Sequence, residues 1–325
     1  MKASGVASAI RLLFDARQPV FIWGPPGVGK SDVVRQVAEE RNVSLRDIRA
    51  LLLDPVDLRG LPFLSEQREA KWATPDFLPR DGQGILFLDE LNAAAPMVQA
   101  SCYQLVLDRK LGEYTLPDGW VIVAAGNRES DRGVTTRMPT PLRNRFTHLP
   151  FEVDVQEWCE WAIRSAIRPE VIAFIRFRHE LLSKFDRDAN AFPSPRSWSF
   201  VSKILKSAPA QSIEHDLIAG TVGEGAATEF TGFLTTYRNL PNIDAILLNP
   251  EQEPVPTNAA AQYAVASALS HCATDMNFDR VCRYLKRMPA DFGVLCVRDA
   301  SVRQPDVRHT AAYTQWAVAN HNVVA

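Results

Sequence analysis

The chain has 325 residues, 36 basic against 38 acidic, with 46% hydrophobic and 23% charged side chains and a formal net charge of -2. These proportions fit a soluble globular protein of about two domains, and 16 Gly with 22 Pro exclude collagen-like and low-complexity classes. The near-neutral balance lacks the basic surplus of proteins that bind nucleic acid mainly by neutralising phosphates.

In chain order, the N-terminal segment reads as an amphipathic helix, its apolar stretch broken by Arg11 and Asp15, and not as a signal peptide. Residues 20–23 are a short apolar run entering Gly24-Pro25-Pro26-Gly27, which predicts a buried strand running into a loop. Helical character follows over 30–41, and 44–53 is a candidate second strand. Residues 85–88 form a continuous apolar run after a turn over 81–84. Residues 96–107 place Val98, Cys102, Leu105 and Val106 on one helical face, and 120–125 is another apolar run. Strands alternating with helices predict an α/β fold, a parallel sheet with helices on both faces.

From Asp154 onward most segments read as helices. Val171, Phe174, Ile175, Leu181, Leu182 and Phe185 fit one helical face over 171–185. Pro193 and Pro195 mark a loop before a helix starting near Arg196, and residues 249–256 are the linker candidate. Gly220, Gly223 and Gly225 follow no strand and read as a helix-ending loop, and His179-Glu180 lacks the second His of a zinc-protease helix. Five cysteines without a CxxC pair disfavour a disulfide framework or zinc site and favour a reducing, cytoplasmic setting. No apolar run reaches the ~18 residues of a membrane span.

Gly24-Pro25-Pro26-Gly27-Val28-Gly29-Lys30-Ser31 fits G-x-x-x-x-G-K-[ST] in full, with a strand before it and a helix after. Glycines let backbone N–H groups converge on phosphate oxygens, and the helix that follows, opening Lys30-Ser31-Asp32, presents an anion-binding N-terminus. Lys30 is the expected contact of the β- and γ-phosphates of ATP, and the Ser31 hydroxyl an expected Mg²⁺ ligand. Asp89 and Glu90 end an apolar strand, where ligands of open parallel sheets bind. Asp89 can hold Mg²⁺ and Glu90 can act as general base toward water. Asn127 ends the 120–125 strand, either as a plain turn residue or as the group that orients the attacking water. Arg143 and Arg145 are either solvated arginines at a helix end or a cation offered to a neighbouring subunit's γ-phosphate. Arg196 is either a surface residue or a phosphate sensor in the second domain.

Together GPPGVGKS, ILFLDE, AAGN, LRNRF and SPRSW resemble, in order and spacing over about residues 1–240, the AAA+ ATPases, and among them the MoxR branch with its RavA and CbbQ/NorQ-like members. The resemblance implies a P-loop AAA+ core over residues 1–153, an all-α lid over 154–248 and a helical C-terminal extension over 249–325, the last matching no family pattern. It implies Walker A at Lys30 and Ser31, Walker B at Asp89 and Glu90, sensor 1 at Asn127, an arginine finger at Arg145 with Arg143 competing, and sensor 2 at Arg196. Hairpins around 54–75 and 111–119 lie where the family carries channel-facing insertions, although the first is short of aromatic-hydrophobic motif character. A finger acting on a neighbour requires head-to-tail assembly, which closes into rings; the family implies a hexamer. It also implies a chaperone-like role on a protein client, often with a von Willebrand factor A domain partner. A nucleic-acid motor or loader is the alternative, disfavoured by the net charge. A small-molecule kinase would leave Asn127, Arg145 and Arg196 without a shared role.

Overall fold

The computed structural model describes residues 1–128, 131, 138–186 and 188–320. The chain forms two compact units, Met1–Asp154 and the residues from Val155 onward.

In the first unit, α1 (Ala3–Asp15) buries Val6, Ala7 and Ile10 and leaves Leu12 in solvent. β1 (Val20–Trp23) leads through the glycine loop into α2 (Lys30–Glu40), whose Val33, Val34, Val37 and Ala38 share one buried face. β2 (Ser44–Arg49) is shorter than the 44–53 expectation. Among the described residues its one strand neighbour is β5, and that ladder ends at Arg49 opposite Asp89. Without a partner the chain tightens into a 3-10 turn over Ala50–Leu52. Next come α3 (Pro55–Arg59), the hairpin β3 (Leu61–Leu64) and β4 (Ala70–Ala73), β5 (Gln83–Asp89) and α4 (Pro96–Asp108). A small hairpin, β6 (Lys110–Leu111) and β7 (Tyr114–Thr115), precedes β8 (Gly119–Gly126), α5 (Thr140–Arg143) and β9 (Thr147–Pro150).

The parallel sheet runs β2-β5-β8-β1-β9. Alternate residues serve its two faces. Phe21, Leu86, Leu88, Ile122 and Ala124 pack with Val98, Cys102 and Leu105 of α4. Val20, Ile22, Ile85, Phe87, Val123 and Ala125 pack with Ile10 of α1 and Val34 and Val37 of α2. The continuous apolar runs of the sequence are thus strands buried on both faces, as the predicted architecture required.

The β3–β4 hairpin corrects one expectation. Leu61, Phe63, Leu64 and Trp72 are 68, 50, 72 and 40% exposed, so the insert does carry aromatic and aliphatic side chains on its surface. Both faces of this two-stranded ribbon are in solvent, so no alternating pattern marks it.

The second unit is helical: α6 (Val155–Arg164), α7 (Pro169–Phe177), α8 (Pro195–Lys206), α9 (Gln211–Val222), α10 (Glu224–Arg238), α11 (Ile243–Leu248), α12 (Ala259–Cys272), α13 (Phe278–Leu285), α14 (Ala290–Arg303) and α15 (Ala311–Ala319). The helix expected over 171–185 stops at Phe177. Arg178 leaves helical geometry, a 3-10 turn follows over His179–Leu181, and the buried Trp198 indole donates to the Leu181 carbonyl at 2.7 Å. Leu181 and Leu182 are buried, but from this turn. Ser194 and Ser197 cap α8 reciprocally, with Pro195 at its first position. Residues 249–256 are tied down, since Tyr284 Oη donates to the Pro254 carbonyl at 2.7 Å and Arg287 to that of Pro250 at 2.8 Å. The glycine cluster spans the α9–α10 corner, Gly223 supplying the positive φ of the turn. A buried ion pair joins Arg176 of α7 to Asp299 of α14, with Nη2 to Oδ1 at 2.6 Å. Among the described residues no helix is long and apolar enough to cross a membrane.

Candidate functional site

The strand order sets the geometry. β8 lies between β5 and β1, so Asn127, just past β8, falls between the Asp89 end of β5 and the loop that leaves β1. The loop is held on both sides: Gly24 N–H donates to the Gly126 carbonyl at 3.3 Å, and the buried Val28 side chain packs into the core. Gly27 and Gly29 have φ of 77° and 98°, a left-handed backbone that glycine adopts without strain. Gly29 caps α2, which begins at Lys30.

Lys30 is only 9% exposed. Its ammonium donates to the Gly24 carbonyl at 2.6 Å, the Pro25 carbonyl at 3.0 Å and Asn127 Oδ1 at 2.9 Å. Ser31 Oγ donates to Asp89 Oδ2 at 2.9 Å. The structure therefore brings the loop, the strand-ending carboxylate and the third-strand Asn into one cluster. Pro26 lies in the same loop, whereas the Asp32 side chain turns outward to pair with Arg35 at 3.1 Å, leaving its backbone at the helix start. Glu90 has φ 56° and ψ 31°, a conformation costly for a residue with a side chain and one that clusters at working sites. Its N–H donates to Asp89 Oδ1 at 2.9 Å.

Three features escaped the sequence reading. Buried Asn92 donates from Nδ2 to the Asn127 carbonyl at 2.7 Å, and its Oδ1 lies 2.0 Å from where a Cβ on Gly126 would sit. Gly126 is therefore required by the close approach of Asn92. Asp47 on β2 has its pKa raised, first by burial and then by the charge of Asp89, with Arg35 and Arg49 opposing the rise, so Asp89 is felt across the β2–β5 pair. His148 accepts from Trp23 Nε1 at 2.8 Å through Nδ1, so its Nε2 is the nitrogen that donates to the Arg143 carbonyl at 2.8 Å. This chain ties the end of β1 to α5. None of the three has a motif of its own.

The two arginines differ. Arg143 is half-buried, reaches Thr140 Oγ1 at 3.3 Å, and has its Nε buried without a hydrogen-bond partner among the described residues. Arg145 is exposed, and its side chain has no hydrogen bond or ion pair among the described residues. Arg196 is likewise exposed and unpaired there, on the first turn of α8 in the second unit.

Residues 20–151, which include the loop, Asp89, Glu90, Asn127 and both arginines, match the family described as ATPase family associated with various cellular activities (AAA). This part of the chain is an AAA ATPase domain, and the parallel sheet followed by a helical region is the AAA+ fold. ATP is accordingly the nucleotide expected at the loop. Over 141 residues the chain is 30% identical to the Holliday junction branch migration complex subunit RuvB of Synechococcus sp. (strain CC9605), covering 41% of this chain and 35% of that protein. The match thus spans about a third of the relative's length. Among solved structures, the Thermotoga maritima RuvB Holliday junction branch migration motor is 18% identical, with TM-score 0.42, covering 82% of this chain and 80% of that one. Brucella abortus NtrX in complex with ATP is 14% identical, with TM-score 0.43, covering 90% and 68%.

Proposed function

We propose that the chain is a ring-forming ATPase of the MoxR branch that remodels, matures or activates a protein partner. The observation that carries the hydrolytic site is the convergence of Lys30 on Asn127 and of Ser31 on Asp89 at the end of the sheet. On ATP binding, Lys30 exchanges its carbonyl partners for β- and γ-phosphate oxygens, and the glycine-loop N–H groups and the start of α2 bind the remaining charge. The Ser31 hydroxyl and Asp89 carboxylate are hard oxygen donors in mutual contact, a set that suits Mg²⁺. Bound there, the ion neutralises charge on the phosphates. Glu90 takes the proton of the attacking water, and Asn127 holds that water in line.

Arg145 is the arginine finger, supplied to the neighbouring subunit. Its exposure and lack of a partner favour it over Arg143, which is half-buried in its own unit. Arg196 senses the phosphates from a lid over 154–248. The extension over 249–325 moves with that lid because Arg176 and Asp299 lock the two. Repeated head-to-tail contacts close the ring, a hexamer by family resemblance.

Two observations support a protein client: the net charge of -2, and the apolar surface of the β3–β4 hairpin, where Leu61, Phe63, Leu64 and Trp72 are exposed. A von Willebrand factor A domain protein is the companion the family resemblance suggests, and the cytoplasm the setting. The RuvB relative, whose name denotes branch migration, favours a second reading as a DNA motor. A Glu90→Gln protein loaded with ATP separates them. Proteins retained by this trap but not by a Lys30→Ala protein support remodelling. Recovery of DNA without protein, together with DNA-stimulated hydrolysis by the unaltered chain, supports the motor.

A further inference from the structure

A concave pocket of about 570 Å³ lies wholly within the second unit, among the ends of α7, α8, α10, α12 and α14 and the start of α11. Its volume falls in the usual range for small-molecule sites. Arg168, Lys206 and Arg303 bring three cations to it against one carboxylate, Glu170. Glu170 is already engaged by Arg168, whose Nε donates to it at 3.1 Å. Lys206 uses one N–H on the Ala166 carbonyl at 2.6 Å and keeps two. The Arg303 guanidinium, the His271 ring and the Tyr237 hydroxyl have no hydrogen bond or ion pair among the described residues. The pocket thus offers a surplus of donors and positive charge in a chain that is net negative. Ile167, Leu240, Pro241, Ile243 and Ala268 supply apolar wall.

We propose that this pocket binds a small organic anion, a phosphate or carboxylate borne on an apolar body. Arg303 and Lys206 grip the charged group, the Tyr237 hydroxyl donates to it, and the apolar wall covers the body. A guanidinium fork without a carboxylate partner suits the paired oxygens of either anion. His271 stands against the same space. Its pKa is lowered, first by its cover in the pocket wall and then by Arg303, with Glu170 and Arg168 as the other charged groups facing it. An anion seated on Arg303 reverses that repulsion and raises it.

Lys206 and Arg303 also close α8 and α14, where a cation offsets the helix dipole. The test therefore separates ligand binding from helix stabilisation. Calorimetric titration of the full chain, with a non-hydrolysable ATP analogue and Mg²⁺ saturating the P-loop, uses phenyl phosphate, benzoate and the neutral benzyl alcohol as probes. Phenyl phosphate or benzoate binds with Kd of about 1 mM or tighter, and benzyl alcohol does not. The tighter of the two identifies the anion. Arg303→Ala weakens binding about tenfold or more, and Arg303→Lys retains most of it. The His271 ring proton resonances titrate at higher pH with the anion bound. The proposal is overturned if neither anion binds up to ~10 mM, or if Arg303→Ala and Lys206→Ala bind as well as the unaltered chain.

Discussion

The Lys30 ammonium and the Asn127 side chain, 97 residues apart in sequence, meet at 2.9 Å. Because β8 pairs with β1 in parallel register, the residue that follows Gly126 sits beside the loop that follows Trp23. The sheet therefore couples the phosphate-binding residue to the residue proposed to hold the water.

Asn127→Ala removes the side-chain contact without disturbing the backbone clamp from Asn92. We expect ATP binding within a few-fold of the unaltered chain and hydrolysis reduced about 100-fold, as for a misplaced reactant. Nucleotide titration beside steady-state phosphate release measures both. Equal loss of binding and turnover would assign Asn127 to phosphate binding instead.

The contact of Asn92 with Gly126 predicts strong coupling. Gly126→Ala places a methyl 2.0 Å from Asn92 Oδ1 and 2.9 Å from the Phe21 ring, and destabilises the first unit. Asn92→Ala strands the half-buried Asn127 carbonyl and costs about 1 kcal/mol or more. In the double variant the clash with Asn92 is gone, so the combined loss is smaller than the sum by about 1 kcal/mol or more. Urea unfolding of the four proteins gives the cycle, and strict additivity would show that the two do not act on each other.

Arg176 and Asp299 are 6 and 3% exposed. Asp299→Ala leaves a buried guanidinium uncompensated, at a cost of roughly 3–5 kcal/mol to the second unit. Replacing both partners by apolar residues of similar volume should recover much of that loss. Thermal unfolding of the single and double variants compares them; an unchanged melting temperature in Asp299→Ala would contradict the pair's role.

Alkaline stability follows from buried thiols. Burial pushes Cys102 up to about 12 and Cys282 to about 12, from an ordinary 9.0. The folded chain then holds protons that the unfolded chain releases, so this stability is complete below pH 9 and is lost as pH rises from 9 toward about 12. Urea midpoints at pH 8 and 10.5 should fall less in Cys102→Ala than in the unaltered chain, even though the variant starts lower. An identical fall in both would remove Cys102 from the account.

What the sequence made legible was contiguous. The glycine loop, the Asp89–Glu90 turn and Asn127 each follow an apolar strand directly, so strand and chemistry are read together. What escaped depends on neighbours distant in the chain. Asn92 matters because Gly126 brings backbone close to it, and Asp47 because β2 pairs with β5. The helix break at Arg178 answers a Trp198 indole that lies later in the chain. The exposed Phe63 and Trp72 gave no signal because a ribbon open to solvent on both faces has no buried period. The early end of β2 required knowing where the β5 ladder stops.

In the proposed ring, hydrolysis needs the P-loop of one subunit and Arg145 of the next. Lys30→Ala protomers keep the finger but lose the nucleotide; Arg145→Ala protomers bind ATP but lack the finger. Each alone should be inactive, and an equal mixture allowed to exchange subunits should recover up to about a quarter of full ATPase activity, the share of interfaces with both parts intact. A mixture as inactive as its components, or an Arg145→Ala protein that hydrolyses ATP at the full rate, would contradict the account.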